Sequence, residues 1–225
     1  MTDDLLFEQI RSELFTAVLG DVLDTLGHQH QFLPAQIKPL QAGMRVIGRA
    51  MPVLEADVTV SAVRSAGPLV GKPFGLMLEA LDDLKPGEIY IATGSSLRYA
   101  LWGGLMSTRA THLQAAGAVL NGYVRDADEI ERLGFNVFCH GTYAQDQGVR
   151  GQVIDYRCEI EISGVRIAPG DLLFGDREGV IVIPRAVEAQ AVALALEKVR
   201  TENKVAEAIR GGMSACDALG TFGVM

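Results

Sequence analysis

Gly103 and Gly104 open the first of two short segments whose residue types could bind a small anion; Leu105 and Met106 complete it. Glycine lets the backbone approach a ligand closely, and the first amides of a helix are unpaired donors at its positive end. A helix that begins here would therefore offer backbone N–H groups to a carboxylate or a phosphate. The same residues also fit a tight strand-to-helix turn without a ligand.

Arg125 and Asp126 form the second segment, after the short apolar run 118–120 and a turn. A guanidinium suits two-pronged recognition of a carboxylate. The neighbouring carboxylate can hold a hard cation such as Mg²⁺ or Mn²⁺ and leave coordination positions for water and substrate. A simpler alternative is a surface ion pair in which Asp126 caps a helix and Glu129 completes a capping box.

Twenty residues separate Gly104 from Arg125, which is room for one helix, one loop and one strand. In a strand–helix–strand unit, this span would place the carboxyl ends of the two strands next to each other. Ligands bind at this edge in open α/β sheets. Helix amides and guanidinium could then converge on one anion. His28 and His30 form a His-x-His pair without an obvious third ligand, and we interpret them as part of a polar loop.

Helical and strand patterns alternate along the chain and predict an α/β fold with a β-rich second half and helices at both ends. Asp3 and Asp4 are expected to cap the first helix. The other predicted helices cover residues 16–27, 73–84, 102–116, 126–133 and 185–210. The predicted strands cover residues 43–53, 89–92, 118–120, 136–139, 157–162, 165–167, 171–174 and 179–183.

Composition predicts one domain spanning residues 1–225, since the sequence contains no linker-like tract. The formal net charge of −8 disfavours broad binding to nucleic acid or to an anionic membrane surface.

Three widely spaced cysteines indicate a reducing compartment. The acidic N-terminus is unlike a signal peptide, and no apolar stretch of roughly 18 residues occurs, so we expect a cytoplasmic protein.

The pattern of Gly104, twenty residues, Arg125-Asp126, two residues and Glu129 resembles the signature of the RraA-like superfamily. This group contains 4-hydroxy-4-methyl-2-oxoglutarate/4-carboxy-4-hydroxy-2-oxoadipate aldolases, oxaloacetate decarboxylases and the regulator of ribonuclease E activity. The resemblance covers nearly the whole chain. Further matching features are Asp21 and the segments 85–88, 100–104, 169–171 and 175–180.

The resemblance implies a three-layer α/β/α swivelling-domain-like fold, a homotrimer or homohexamer, and active sites at subunit interfaces. It implies that backbone groups of residues 103–106 bind the carboxylate of a 2-oxo acid, that Arg125 contacts its oxo group and that Asp126 binds the divalent metal. In the family's aldolases a carboxylate from a neighbouring subunit's C-terminal helix also approaches the waters bound to the metal. Glu202 is the candidate for it, ahead of Glu197.

The predicted function is therefore a metal-dependent lyase that gives pyruvate from oxaloacetate or from a pyruvate-containing aldol. The base for a retro-aldol cleavage stays open among Asp128, Glu129 and a carboxylate donated in trans. Many of the family's aldolases carry an acidic residue where Gly104 stands, which favours a decarboxylase or an aldolase with another acceptor. The alternative is a non-catalytic, protein-binding regulator; such relatives generally lack the aspartate found at Asp126.

Overall fold

The computed structural model describes residues 3–58, 69 and 71–223. The helices within these residues are α1 (Asp3–Glu13), α2 (Thr16–Thr25), α3 (Met77–Asp82), α4 (Gly104–His112), α5 (Ala127–Leu133), α6 (Glu188–Arg210) and α7 (Ala215–Phe222). The strands are β1 (Lys38–Pro39), β2 (Val46–Asp57), β3 (Glu88–Thr93), β4 (Ala100–Trp102), β5 (Gly117–Leu120), β6 (Tyr123–Val124), β7 (Val137–Cys139), β8 (Gly151–Tyr156), β9 (Ile160–Ile162), β10 (Val165–Ile167), β11 (Leu172–Asp176) and β12 (Gly179–Ile183).

Strand β2 lies at the centre of a large mixed sheet with the order β1-β7-β5-β3-β2-β11-β12, and β8 pairs with the distal part of β2. The strands β2, β3, β5 and β7 run parallel, whereas β11 and β12 are antiparallel to their neighbours. The first eight residues of β2 are all buried. Strands covered on both faces are expected to be continuously apolar rather than alternating, and β2 fits this rule.

Two groups of helices cover different parts of this sheet. The helices α3, α4 and α5 pack on the parallel strands around Tyr90 and Trp102. The helices α1, α2 and α6 pack on the antiparallel part around Phe174 and Ile181. The β9–β10 hairpin contributes Ile162 to a third apolar cluster, which fills the other side of the sheet. The predicted α/β fold is therefore confirmed.

Most predicted elements occur with shifted ends. The helix predicted over 102–116 begins at Gly104 and ends at His112, because residues 100–102 form β4. The strand predicted over 157–162 begins only at residue 160, and the preceding strand β8 was not predicted. The helix predicted over 73–84 is shorter, since a tight turn with positive φ at Phe74 and Gly75 precedes it.

A buried arginine joins three of these elements. Arg49 on β2 donates to both carboxylate oxygens of Asp3 on α1 and to Glu188 at the start of α6. These charge-assisted bonds raise the pKa of Arg49, and the bond from Arg49 lowers the pKa of Asp3. Asp3, which we expected to cap the first helix, lies within α1 and serves as an ion-pair partner.

The long helix α6 has 23 residues, and its buried residues Ala191, Val192, Ala195 and Val205 form an apolar stripe toward α2 and the sheet. Its remaining surface is mostly polar and charged, with Leu194 and Ile209 as exposed apolar side chains. Within the part of the chain that the structure describes, no helix is both long enough and apolar enough to cross a membrane.

Candidate active site

The short parallel strands β4 and β6 bring the two chemistry-bearing segments together. Trp102 lies opposite Val124, and the amide of Arg125 donates to the carbonyl of Trp102 at 3.0 Å. The residues that follow the two strands, Gly103 and Arg125, therefore lie next to each other. The spacing predicted this convergence, but a separate two-stranded sheet rather than the main sheet produces it.

Asp126 does not form the capping box that the sequence allowed. Its φ and ψ of 57° and 38° are left-handed, and its side chain makes no capping hydrogen bond to α5. Aspartate adopts this conformation more readily than most residues that carry a side chain. The carboxylate turns toward α4 instead, where Oδ2 accepts a 3.0 Å hydrogen bond from the amide of Gly104. The Asp126 side chain remains 45% exposed.

The two glycines leave room for carboxylates. A Cβ atom on residue 103 would lie 2.9 Å from Asp126 Oδ2, and a Cβ atom on residue 104 would lie 2.5 Å from Glu129 Oε2. Both distances are shorter than ordinary contacts to Cβ. The absence of side chains at 103 and 104 thus lets Asp126 and Glu129 approach the N-terminus of α4, where the helix dipole favours negative charge.

Helix α4 offers two further donors beside these carboxylates. The Gly103 carbonyl accepts from the amide of Ser107, the first hydrogen bond of the helix, and Gly104 donates to Asp126. Within the described residues, the amides of Leu105 and Met106 donate to no protein group. These donors can bind an external anion, as the first turn of a helix does generally.

Arg125 is held from the opposite side by Asp146. Its Nη1 donates to Asp146 Oδ1 at 2.8 Å, and its Nε lies 3.8 Å from Asp126 Oδ2. The Arg125 side chain is 41% exposed, so the remaining guanidinium donors can reach a ligand. Asp146 lies in the polar loop 144–150, whose role the sequence did not define, and nothing local in the sequence indicates that it contacts Arg125.

These groups lie around a cleft of about 430 Å³. One wall is apolar and includes Met77, Leu81 and Trp102, while Arg125, Asp126 and Asp146 form a charged edge. Arg125 and Asp126 also line a second recess of about 380 Å³ beside Tyr143. Small-molecule sites commonly combine an apolar lining with a few convergent polar groups, and this cleft has that composition.

Trp102 and Ser107 fix the floor of the cleft. The indole Nε1 donates to Ser107 Oγ at 2.7 Å, and Ser107 Oγ donates to the Gly103 carbonyl at 3.2 Å. The indole ring also stacks on Phe135 and packs against Tyr90. Because the ring is held on all these sides, the backbone that precedes Gly104 is rigid where an anion would bind.

The carboxylates suit a hard cation that takes most of its ligands from water and substrate. Asp126 presents an exposed carboxylate to the cleft, and Glu129 Oε2 lies near the same helix end. In the described ranges there is no group of three or more His, Cys, Asp or Glu residues arranged to hold a metal. Mg²⁺ is often bound through one or two carboxylates with several waters retained, so the residues present fit such an ion.

Glu202, the other predicted metal ligand, lies on α6 in the second group of helices. Its carboxylate is 3.8 Å from Lys198 Nζ, which also binds Asp21. Glu197 lies on the same helix and is exposed. The chain by itself therefore places neither residue among the groups around Asp126. His28 is half-buried and His30 is exposed, and both lie in the loop after α2, as we predicted.

A buried carboxyl group behind the cleft was not identified from the sequence. Gln147, which lines the cleft and is 4% exposed, donates through Nε2 to Glu55 Oε2 at 2.8 Å. Glu55 is 2% exposed on β2. Burial is the main cause that raises its pKa to about 8, and the charge of Asp57 adds to it. A single glutamate inside an apolar strand is the sequence signal that could have drawn attention to it.

Comparison with known proteins assigns a family. A family model named RraA-like, described as Aldolase/RraA, matches residues 16–182. A Halalkalibacterium halodurans protein named "Putative 4-hydroxy-4-methyl-2-oxoglutarate aldolase" is 31% identical over 90% of this chain and 88% of its own length. Protein DlpA of Legionella pneumophila is 30% identical over 88% of this chain, which spans only 30% of DlpA.

Two solved structures share the fold. An uncharacterized protein from Pseudomonas syringae pv. tomato has a TM-score of 0.85 at 27% identity, over 98% of this chain and 95% of that one. RraAS2 of Streptomyces coelicolor, described as an unusual member of the RNase ES inhibitor RraA protein family, has a TM-score of 0.76 at 21% identity. This alignment covers 90% of this chain and 96% of RraAS2, and at that identity it is informative for the fold alone.

Proposed function

The chain belongs to the RraA-like family, and on this basis we propose that it is a divalent-metal-dependent lyase that breaks a carbon–carbon bond of a small 2-oxo acid and releases pyruvate. The observation that supports this most is the convergence of Arg125, Asp126 and the free amides at the start of α4 on one cleft. The name of the Halalkalibacterium halodurans relative points to the same class of reaction.

Substrate binding uses two kinds of donor. The amides of Leu105 and Met106 receive the carboxylate, because they lie at the positive end of α4 and donate to no group in the part of the chain that the structure describes. The Arg125 guanidinium donates to the 2-oxo oxygen, where negative charge develops as the bond breaks. One preorganised donor of this kind typically lowers a barrier by about 3–4 kcal/mol.

Asp126 would hold the metal through its exposed carboxylate. When bound, the metal would supply Lewis-acid stabilisation of the charge that develops on the 2-oxo oxygen. The apolar wall formed by Leu81, Trp102 and Met106 would exclude water from this side of the cleft once a substrate is bound. Exclusion of water strengthens the electrostatic contribution of Arg125, since charges interact more strongly at low dielectric.

Glu129 is our candidate to accept a proton from a C4 hydroxyl. Its Oε2 occupies the space that a side chain on residue 104 would fill, next to the carboxylate of Asp126. A retro-aldol cleavage needs such a base, whereas loss of CO₂ from oxaloacetate does not. We therefore expect substitution of Glu129 to affect cleavage of a 4-hydroxy-2-oxo acid more strongly than decarboxylation of oxaloacetate.

Pyruvate release tests the proposal. The purified protein is assayed with oxaloacetate and with 4-hydroxy-4-methyl-2-oxoglutarate, with and without Mg²⁺ or Mn²⁺, and the enzyme-free rate at the same metal concentration is subtracted. We expect metal-dependent turnover and a loss of roughly 10²–10³-fold in Arg125→Ala. Arg166→Ala is the matched control, because Arg166 is an exposed arginine paired with Glu159 on the β9–β10 hairpin.

A protein that turns over neither substrate above background would contradict the proposal. That result would favour the alternative of a non-catalytic, protein-binding regulator. Turnover that is equal in Arg125→Ala and Arg166→Ala would place the chemistry elsewhere in the molecule.

A further inference from the structure

Glu55 is a buried carboxyl group that the proposed reaction does not use directly. One of its oxygens, Oε2, accepts the hydrogen bond from Gln147. Its other oxygen, Oε1, has no hydrogen-bond partner among the residues that the structure describes, and the same holds for the buried hydroxyl of Tyr90. Unpartnered buried polar atoms are uncommon in folded proteins, so this pair calls for an explanation.

Burial and a nearby carboxylate favour the neutral form of Glu55. Four groups face it. They are Asp57 on the same strand, Tyr90 from β3, Tyr99 from the loop before β4, and Gln147 from the loop before β8. None of them carries a positive charge. Burial and Asp57 raise the pKa of Glu55 to about 8, so the acid is protonated at neutral pH. A neutral carboxylic acid can be both acceptor and donor, which a buried carboxylate cannot.

Gln147 connects Glu55 to the charged edge of the cleft. Its neighbour in the chain, Asp146, binds Arg125 through the 2.8 Å contact to Nη1. The Gln147 carbonyl accepts from the amides of Arg150 and Gly151, so the turn that carries Asp146 is tightly closed. A displacement of Gln147 would therefore move Asp146 as well and release the guanidinium from its present orientation.

We infer that Glu55 is a positioning residue of the cleft: as a neutral acid it anchors Gln147, and through Gln147 and Asp146 it orients Arg125 for the substrate. The substrate part of this inference rests on the proposed function. Glu55 touches no substrate itself, because it lies behind Gln147. Loss of its proton would leave a buried charge with one amide donor, and relief of that charge requires Glu55 or Gln147 to move.

Fluorescence of Trp102 follows this change without any need for turnover. Trp102 is the sole tryptophan of the chain, lines the cleft and packs 4.9 Å from the Tyr90 ring centroid. In the wild type, we expect emission to change with pH around a midpoint of about 8. Glu55→Gln, a neutral group of the same shape, should abolish that transition. Glu159→Gln is the matched control, since it neutralises an exposed carboxylate just before β9 and should leave the transition intact.

Substrate affinity then separates a positioning role from a purely structural one. Pyruvate binding is measured by quenching of the same fluorescence, and KM by pyruvate release. In the wild type, both Kd and KM should rise up to about tenfold for each pH unit above the midpoint, as for one essential proton. Glu55→Leu and Gln147→Leu should show weak binding already at neutral pH, while Glu55→Gln should restore it and remove the alkaline rise.

Each outcome decides one of the two proposals. A fluorescence transition that persists unchanged in Glu55→Gln, or an alkaline rise in KM that this variant retains, overturns the inference about Glu55. Circular dichroism would show whether Glu55→Leu is unfolded. If it is, the comparison between wild type and Glu55→Gln tests the inference about Glu55 without it. A third outcome is a fluorescence transition that occurs only in proteins that carry Glu55, while none of the proteins binds or releases pyruvate. That outcome overturns the proposed function and the substrate part of the inference.

Discussion

Replacement of Glu55 by glutamine should change how the stability of the protein depends on pH. The folded protein raises the pKa of Glu55 from 4.5 to about 8, mainly through burial. The folded state therefore binds a proton that the unfolded state has already lost across this range. Stability from this group is fully present below the unfolded pKa and is lost as pH rises through the folded pKa.

The magnitude follows from the two pKa values. Each pKa unit corresponds to about 1.4 kcal/mol, and the loss flattens as the pH approaches the folded pKa. Between about pH 6 and about pH 8, the wild type should lose about 2 kcal/mol of unfolding free energy from Glu55 alone. Glutamine does not titrate, so Glu55→Gln should lose about 2 kcal/mol less over the same interval.

Urea unfolding followed by circular dichroism measures this difference at the two pH values, with Glu159→Gln as the control for loss of an exposed carboxylate. The other titrating groups are common to all three proteins and cancel in the comparison, His140 among them, whose pKa burial lowers. Parallel pH dependence in wild type and Glu55→Gln would refute the reasoning, because it would mean that Glu55 is ionised in the folded protein at neutral pH.

Three further substitutions test other parts of the structure. Gly103→Ala places a Cβ atom 2.9 Å from Asp126 Oδ2, so we expect kcat/KM for oxaloacetate to fall about 10–100-fold with little change in stability; equal activity would contradict the close fit. Ser107→Ala removes the acceptor of the Trp102 indole and should cost about 1–3 kcal/mol in urea unfolding, whereas an unchanged midpoint would show that the bond is dispensable. Arg49→Ala leaves the largely buried carboxylate of Glu188 unpaired, whereas that of Asp3 is half exposed, so it should cost about 3 kcal/mol in urea unfolding. A loss below about 1 kcal/mol would contradict the role of Arg49 in joining three elements.

Regular elements with a clear apolar pattern could be predicted from the sequence. The strand at 179–183 and the apolar run at 118–120 occur where predicted, apart from one added residue in the second. The strands β4 and β6 have only three and two residues, too few for periodicity to indicate. Yet these two strands, which pair directly, bring Gly103 next to Arg125.

The candidate site could be predicted from the sequence only where the number of residues between two segments determines how they are placed. The approach of α4 to Arg125 follows from the twenty-residue interval, which fixes the number of elements between them. The contact of Asp146 with Arg125 and that of Gln147 with Glu55 depend on how a loop packs across the cleft, and no spacing encodes it. The positive φ of Asp126 was likewise not evident, because its sequence also fits a capping box.

Loss of metal dependence in Asp126→Asn tests the central claim most directly. Pyruvate release from oxaloacetate is measured in the wild type and in Asp126→Asn, after chelation and after addition of Mn²⁺, with the enzyme-free rate subtracted. We predict that Mn²⁺ raises wild-type kcat/KM by at least roughly 10²-fold and leaves Asp126→Asn near its chelated rate. Equal activation of both proteins by Mn²⁺ would contradict the assignment of the metal to Asp126.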